Sequence, residues 1–409
     1  MGLLAFDLAG ANAGAVLGTA LAIKMLAYIS IAPVAAVFAE RLPRRTMLVA
    51  LDLVRAGVAL SLPFVGEIWQ IYVLIFVLQS ASAGFTPTFQ ATIPDVLPGE
   101  ADYTKALSLS RLAYDLESLV SPALAAALLT VVSFHSLFYG TVIGFVASAL
   151  LVFSTVLPKA GLQPPRGIYE RLTRGTRIYL ATPRLRGLLA VNLAVASGSA
   201  MVIVNTVVLV QSGQGLPQQA TALALAAFGA GSMGVALVLP RMLEKVADRK
   251  VMLVGAGTIA FCLFAGVAAP ASYLALLLLW FVMGAGYSLA QTPSGRLLKR
   301  SAHPEDRPAV FAAQFALSHA CWLVTYPMAG WLGAKAGMTA SFLTLAGVAA
   351  GAIVVAMRVW PEAEPPELVH THDNLPPDDP HLTQQASAGA WRPHRHVFVV
   401  DDLHARWPS

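Results

Sequence analysis

Continuous apolar runs recur along the chain as far as Met357. Each is close to the 20 or so residues that a helix needs to cross a hydrocarbon core about 30 Å thick. Polar punctuation places eleven of them, at 13–38, 46–65, 69–91, 105–132, 136–157, 187–211, 219–240, 251–269, 272–293, 308–333 and 338–357. Runs of this length without alternation predict helices, because membrane barrels are built from alternating strands of about ten residues. The pattern therefore predicts an all-α membrane protein. Its parts are a first helical half at 1–157, a linker at 158–186, a second helical half at 187–357 and a polar tail at 358–409. Residues 1–10 (MGLLAFDLAG) read as the remnant of a preceding helix, since they have neither the basic start nor the cleavage motif of a signal peptide. On that reading the intact arrangement has twelve spans.

Composition supports the pattern: 57% of the 409 residues are hydrophobic and 12% charged, against about 25% charged in soluble domains. A surface so poor in charge needs a lipid bilayer as its solvent. The net charge of +5 does not mark a nucleic-acid partner, because the basic residues fall in short clusters between apolar runs. Arg41, Arg44 and Arg45 follow the first run, and Lys159, Arg166, Arg171, Arg174, Arg177, Arg184 and Arg186 follow the fifth. Arg241, Lys245, Arg249 and Lys250 follow the seventh, and Arg296, Lys299, Arg300 and Arg307 the ninth, whereas the intervening loops carry little beyond Lys335. Short basic loops stay in the cytoplasm. The linker and tail are thus expected to be cytoplasmic, in a multi-pass monomer of a bacterial inner membrane. Cys262 and Cys321 both lie within apolar runs, so no disulfide framework or CxxC knuckle is predicted.

The two helical stretches repeat one another. Arg44-Arg45-Thr46-Met47-Leu48 recurs as Arg249-Lys250-Val251-Met252-Leu253, an offset of 253 − 48 = 205 residues, and the same offset carries Pro122 onto Pro327. Two parallel copies joined by a basic linker account for both matches, with chance similarity of basic loops as the alternative for the first. In this arrangement the chain resembles the major facilitator superfamily. That family's loop pattern Gly-x-x-x-Asp-x-x-Gly-Arg-Lys corresponds here to residues 36–45, with Ala36 and Pro43 in place of glycine, Glu40 in place of aspartate, and Arg41, Arg44 and Arg45 among the basic positions. Its antiporter pattern Gly-Pro-x-x-Gly-Gly is reduced to Ser121-Pro122-Ala123-Leu124-Ala125-Ala126. The resemblance implies two six-helix halves around a central cavity, with Glu40, Arg41, Arg44 and Arg45 in a gating loop. Within the family the chain is similar to the enterobactin-exporter-related branch, and its tail to that of nickel-resistance permeases.

An ionisable residue inside a span costs roughly 2.5–3.5 kcal/mol on insertion scales and so implies a partner or a cavity. Asp52 and Arg55 at i,i+3, and Arg111 and Asp115 at i,i+4, are spaced to neutralise one another along their own helices. Glu117 sits about 200° around the helix from Asp115, which makes Lys24 its expected countercharge across helices. Asn192, Asn205, Gln291, His319 and Cys321 are candidate cavity residues in the second half, with interhelical hydrogen bonding as the alternative role. Gly229-Ala230-Gly231 and Gly284-Ala285-Gly286 read as patches for close helix packing. Lys24, Arg111, Asp115, Glu117, Asn205, Gln291 and His319 form the expected transport set.

Six of the nine histidines lie in the tail, among them His370, His372, His381, His394, His396 and His404 with Asp373, Asp378, Asp379, Asp401 and Asp402 around them. Imidazoles and carboxylates at such spacing suit a transition metal, the alternative being an acidic tail in which histidine is incidental. His394 to Val400 also has the pattern of a short strand. No resident cofactor is expected beyond a metal ion on the tail. These features point to a proton-coupled exporter of a small molecule or metal ion, with divalent-metal efflux as the leading form. Export of an organic solute such as a siderophore or drug is the alternative, and a non-transporting membrane sensor the reading from another class. No Walker loop, nucleophile elbow or HExxH motif is present, which argues against an enzyme.

Overall fold

The computed structural model describes residues 13–128, 131–157, 167–268, 272–362, 367–370, 394–396, 398–404 and 407. Residues 1–10, His372 and His381 lie outside them. A first group of helices comprises α1 (Ala13–Arg41), α2 (Arg44–Ser61), α3 (Ile68–Val96), α4 (Glu100–Leu128) and α5 (Phe134–Ser154). A short helix α6 (Ile168–Ala181) leads into the second group, which opens with α7 (Pro183–Val207), α8 (Gln218–Leu243) and α9 (Asp248–Ala265). It continues with α10 (Tyr273–Gln291), α11 (Ser294–Arg300), α12 (Arg307–Lys335) and α13 (Gly337–Val359). Two short strands, β1 (Leu368–His370) and β2 (His394–His396), pair antiparallel in the tail with His370 opposite His394.

Local chemistry sets several boundaries. Glu67 and Gln70 form a reciprocal capping box at the start of α3. Pro183 and Pro308 occupy the first turns of α7 and α12, where a missing N–H leaves no hydrogen bond unmade. Gly337, at φ 87°, supplies the left-handed residue that turns α12 into α13.

Shifting the first group by 205 residues lays it over the second. Arg44–Ser61 becomes 249–266 against Asp248–Ala265, Ala13–Arg41 becomes 218–246 against Gln218–Leu243, and Glu100–Leu128 becomes 305–333 against Arg307–Lys335. Packing repeats in the same way: α1 packs on α3 as α8 does on α10, and α2 on α5 as α9 does on α13. The groups meet through α1 with α12 and α4 with α8, a reciprocal pair under the same shift. Helix α7, the most buried of the set, packs on α13, α12 and α9 and has no counterpart among the described residues. Small residues allow the closest approaches. A side chain at Gly231 on α8 would collide with the Phe281 carbonyl of α10, and one at Gly284 with the Phe228 carbonyl of α8, which bears out the packing reading of these two patches.

The structure adds four details to these expectations. Nine helices among the described residues are long enough to cross a membrane with few enough charges to do so by composition, and the other two expected spans are present as helices α4 and α9. Helix α4 falls short because it carries six charged residues from Glu100 to Glu117, and α9 because three charges crowd its first turn. The ninth expected run, 272–293, is α10, and the short helix α11 follows it beyond Thr292-Pro293. The linker holds the amphipathic helix α6, and α7 begins inside it at Pro183. The polar tail has an end that docks: Phe398, Val399 and Val400 are buried, and Phe398 and Val400 join the core around α7.

Candidate functional site

Midway along the helices, aromatic and ionisable side chains from both groups form one layer. On α1 the Lys24 ammonium lies 5.5 Å from the Tyr28 ring centroid, and Tyr28 packs tilted at 4.9 Å against Phe315 and edge-on at 4.7 Å against His319 of α12. His319 Nδ1 lies 2.7 Å from the Phe315 carbonyl oxygen, so it carries the proton that it donates there and Nε2 is an acceptor. On α4, Arg111 and Asp115 pair as their spacing predicts, and the guanidinium lies 4.5 Å from the Tyr287 ring centroid of α10. Tyr114, a turn from Glu117, is an electrostatic neighbour of both Arg111 and Arg55. Trp322 and Tyr326 of α12 continue the layer, their rings 5.1 Å apart. Asp52 is fully buried, holds Arg55 and accepts the Ser148 hydroxyl at 2.7 Å, while the Arg55 guanidinium lies between the Phe85 and Phe145 rings.

The expected Lys24–Glu117 ion pair does not form among the described contacts. Cation–π contact with Tyr28 takes its place for Lys24, and Glu117 is exposed. Asn205 is 2% exposed, and its amide donates to the Ala329 carbonyl at 3.1 Å and lies near Ser341 and Met201. It joins α7 to α12 and α13, the geometry of the interhelical hydrogen-bonding role weighed for it in the sequence. Gln291 ends α10, four residues beyond Tyr287, toward the side where the basic loops lie. The aromatic partners Tyr28, Tyr114, Tyr287, Trp322 and Tyr326 were not foreseen; their only sequence signal is spacing of four from Lys24 to Tyr28 and from Trp322 to Tyr326.

A second constellation closes the face that carries the basic loops. Asp95, at the end of α3, accepts from Arg44 of α2 and from Arg307 of α12 in the other group. The equivalent helices of the other copy carry a bridge of opposite sign: Arg296 of α11 pairs with Asp248 of α9 at 3.0 Å and with Glu100 of α4 in the other group at 2.6 Å. Lys299 adds a 2.7 Å hydrogen bond to the Pro98 carbonyl. Arg45 stands over Phe153, and the side chains of Glu40 and Arg41 lie outside the described set.

The described residues bring together no group of three or more His, Cys, Asp or Glu able to hold a metal. Within the tail, His404 is buried, with Nδ1 2.9 Å from Asp401 and its ring edge-on to Phe398. His370, His394 and His396 lie in the paired strands.

Comparison with known proteins agrees with this architecture. The family model "Major Facilitator Superfamily" matches residues 3–245 and 188–397. The chain is 26% identical over 301 residues to the uncharacterized MFS-type transporter YfiS of Bacillus subtilis (strain 168), covering 70% of this chain and 71% of that one. It is 26% identical over 155 residues to macrolide efflux protein A of Enterococcus faecalis, which covers 36% of this chain and 48% of the relative. Among solved structures, a bacterial homologue of the iron transporter ferroportin in an outward-facing state superposes with TM-score 0.69 at 15% identity, over 87% of this chain and 92% of that one. The human organic anion transporter MFSD10 gives TM-score 0.66 at 15% identity, over 84% of each chain. The repeated helices, the reciprocal contacts between groups and the match over most of the sequence together place this chain in the Major Facilitator Superfamily.

Proposed function

We propose that the protein exports an amphipathic organic solute from the cytoplasm by alternating access of its two helical groups, with the central aromatic layer as the binding site. The observation that carries this is the chemistry of that layer. The Arg111–Asp115 pair already neutralises itself and meets the Tyr287 ring with Tyr114 as its neighbour, while Tyr28 packs on Phe315 and His319 and Trp322 packs on Tyr326 along α12. Flat apolar surfaces with a few placed polar groups suit a ring-bearing solute, whereas a dehydrated divalent ion needs a compact set of ligands. The macrolide efflux relatives support the same choice, and the metal-efflux reading gives way to it.

Lys24, Arg111, Asp115 and His319 serve here as polar recognition groups, and exposed Glu117 as the carboxylate that loads and unloads a proton. The basic loops support a cytoplasmic position for the charge-clamped face, in a bacterial inner membrane. The present conformation is then closed to the cytoplasm. Efflux from proteoliposomes loaded with a macrolide or an aromatic dye, run against nickel-loaded controls, tests the reading. Macrolide or dye efflux that falls at least tenfold in Tyr287→Ala supports it, and efflux confined to nickel overturns it.

A further inference from the structure

The end of the tail is bound to the helix that bridges the gate. Helix α6 lies beneath the contact between α1 and α12, touching Pro33 and Ala36 on one side and Ala309 and Ala313 on the other. It packs so closely that a side chain at Gly175 would collide with the Ala309 carbonyl. Its Arg174, 2% exposed, is gripped from both directions. Asp306, the residue that opens α12, accepts from Arg174 Nε and Nη2 at 2.5 and 2.8 Å, and Asp402 of the tail accepts from Nη1 at 2.5 Å.

Other tail contacts fix the same segment. Phe398 and Val400 enter the core, Asp401 lies 3.3 Å from His303 in the loop before α12, and the Trp407 ring stacks under the Arg184 guanidinium at 5.1 Å. Phe398 packs edge-on against His404 and Trp407. Asp306 is followed directly by Arg307, the gate residue that pairs with Asp95. Alternating charges therefore run without a break from tail to first helical group: Asp402, Arg174, Asp306 with Arg307, Asp95, Arg44.

We propose that residues 398–404 and Trp407 form a strap that locks the gate closed by holding α6 across it, so that strap release raises the population open on the basic face. It rests on the alternating-access reading, and its test needs no substrate. A mere packing role for the tail would lower thermal stability and leave the conformational equilibrium unchanged. A gate lock shifts that equilibrium, because α6, which the strap holds, packs on both α1 and α12.

The test is a spin-label distance measurement on the full chain in nanodiscs, with Cys262→Ala and Cys321→Ser as background. Labels at Thr155→Cys after α5 and Lys245→Cys after α8, both exposed on the basic face, read the opening between the two groups. The starting protein should show one dominant short distance. A chain lacking residues 398–409, and the Asp401→Asn/Asp402→Asn double variant, should each raise the long-distance population at least threefold, with a smaller rise in Trp407→Ala. Should the deletion fail to fold, the double variant decides, because it retains Phe398 and Val400 in the core. An unchanged distance distribution in the double variant, with or without a lower melting temperature, overturns the proposal. Failure of the protein to move any organic solute leaves this result intact, so the two readings fail separately.

Discussion

Arg296 on α11 and Glu100 on α4 form a 2.6 Å ion pair that joins the two helical groups on the basic face. The equivalent helices of the other copy are joined with the charges the other way round, by Arg307 on α12 and Asp95 on α3. In one copy of the repeat a base–acid–base set bridges the gate, in the other an acid–base–acid set. The two differ in burial: the Asp95 side chain is 11% exposed, that of Glu100 60%.

That difference predicts unequal effects of neutralising them. Asp95→Asn leaves two guanidinium groups without their carboxylate in a buried setting, a change of about 3–5 kcal/mol for comparable pairs. Glu100→Gln removes an exposed partner of Arg296, for which about 0–1 kcal/mol is usual, and Asp248 continues to hold Arg296. Asp95→Asn should therefore open the gate strongly in distance measurements and Glu100→Gln barely. Equal shifts would sink the ranking.

The two intramembrane pairs should also separate by phenotype. Asp115 sits with Arg111 on the Tyr287 ring, at the contact between groups, whereas Asp52 is enclosed by Arg55 and Ser148 within the first group. Asp115→Asn should lower transport at least tenfold at normal expression. Asp52→Asn should mainly lower the amount of folded protein, since Arg55 is then left as a charge between two aromatic rings. Quantitative immunoblots beside initial efflux rates check both, and wild-type efflux by Asp115→Asn contradicts the site.

Helix positions were legible in the sequence because lipid demands long apolar runs, and the repeat because Arg44 and Arg249 open equivalent helices. Within the site, Arg111 with Asp115 was legible as a spacing of four on one helix. Tyr28 against His319 was not, because their contact crosses helices far apart in sequence and no periodicity encodes it. The countercharge expected for Lys24 failed for a related reason: counting charges ignores aromatic faces, which also stabilise a cation. The docked strap was hidden by averaging, since Phe398, Val399 and Val400 are a short apolar island in a segment rich in Pro, Asp and His.

Close approach of α8 and α10 gives a stability prediction with an internal control. An added methyl at Gly231 would meet the Phe281 carbonyl, while one at Gly234 on the same helix meets nothing within 4 Å. Gly231→Ala should destabilise by about 1–3 kcal/mol through forced separation of the backbones. Gly234→Ala should stabilise by about 0.4–1 kcal/mol through lower chain entropy when unfolded. Thermal unfolding in detergent tests the pair, and a drop in both variants would remove the contact argument.

The strap should loosen as pH rises above neutrality. The hydrogen bond to Asp401 raises the His303 imidazole above its ordinary value, with burial opposing and Glu305 and Asp306 assisting. Burial pushes the Asp401 carboxyl up, but hydrogen bonds from His303 and His404 outweigh it and hold it well below the usual carboxylate range. The raised group adds stability that is complete below the ordinary histidine value near 6.5 and lost as pH climbs through the raised one. The depressed carboxyl adds stability above its ordinary value near 4, lost only in strong acid. Between these limits docking is at its firmest, so spin labels at Tyr169→Cys on α6 and Leu403→Cys should give a narrow distance distribution at pH 6 and a broader one at pH 9. His303→Gln can still donate to Asp401 but cannot titrate over this interval, and should give the same distribution at both. If His303→Gln broadens with pH as the starting protein does, another group governs the strap and this assignment is wrong.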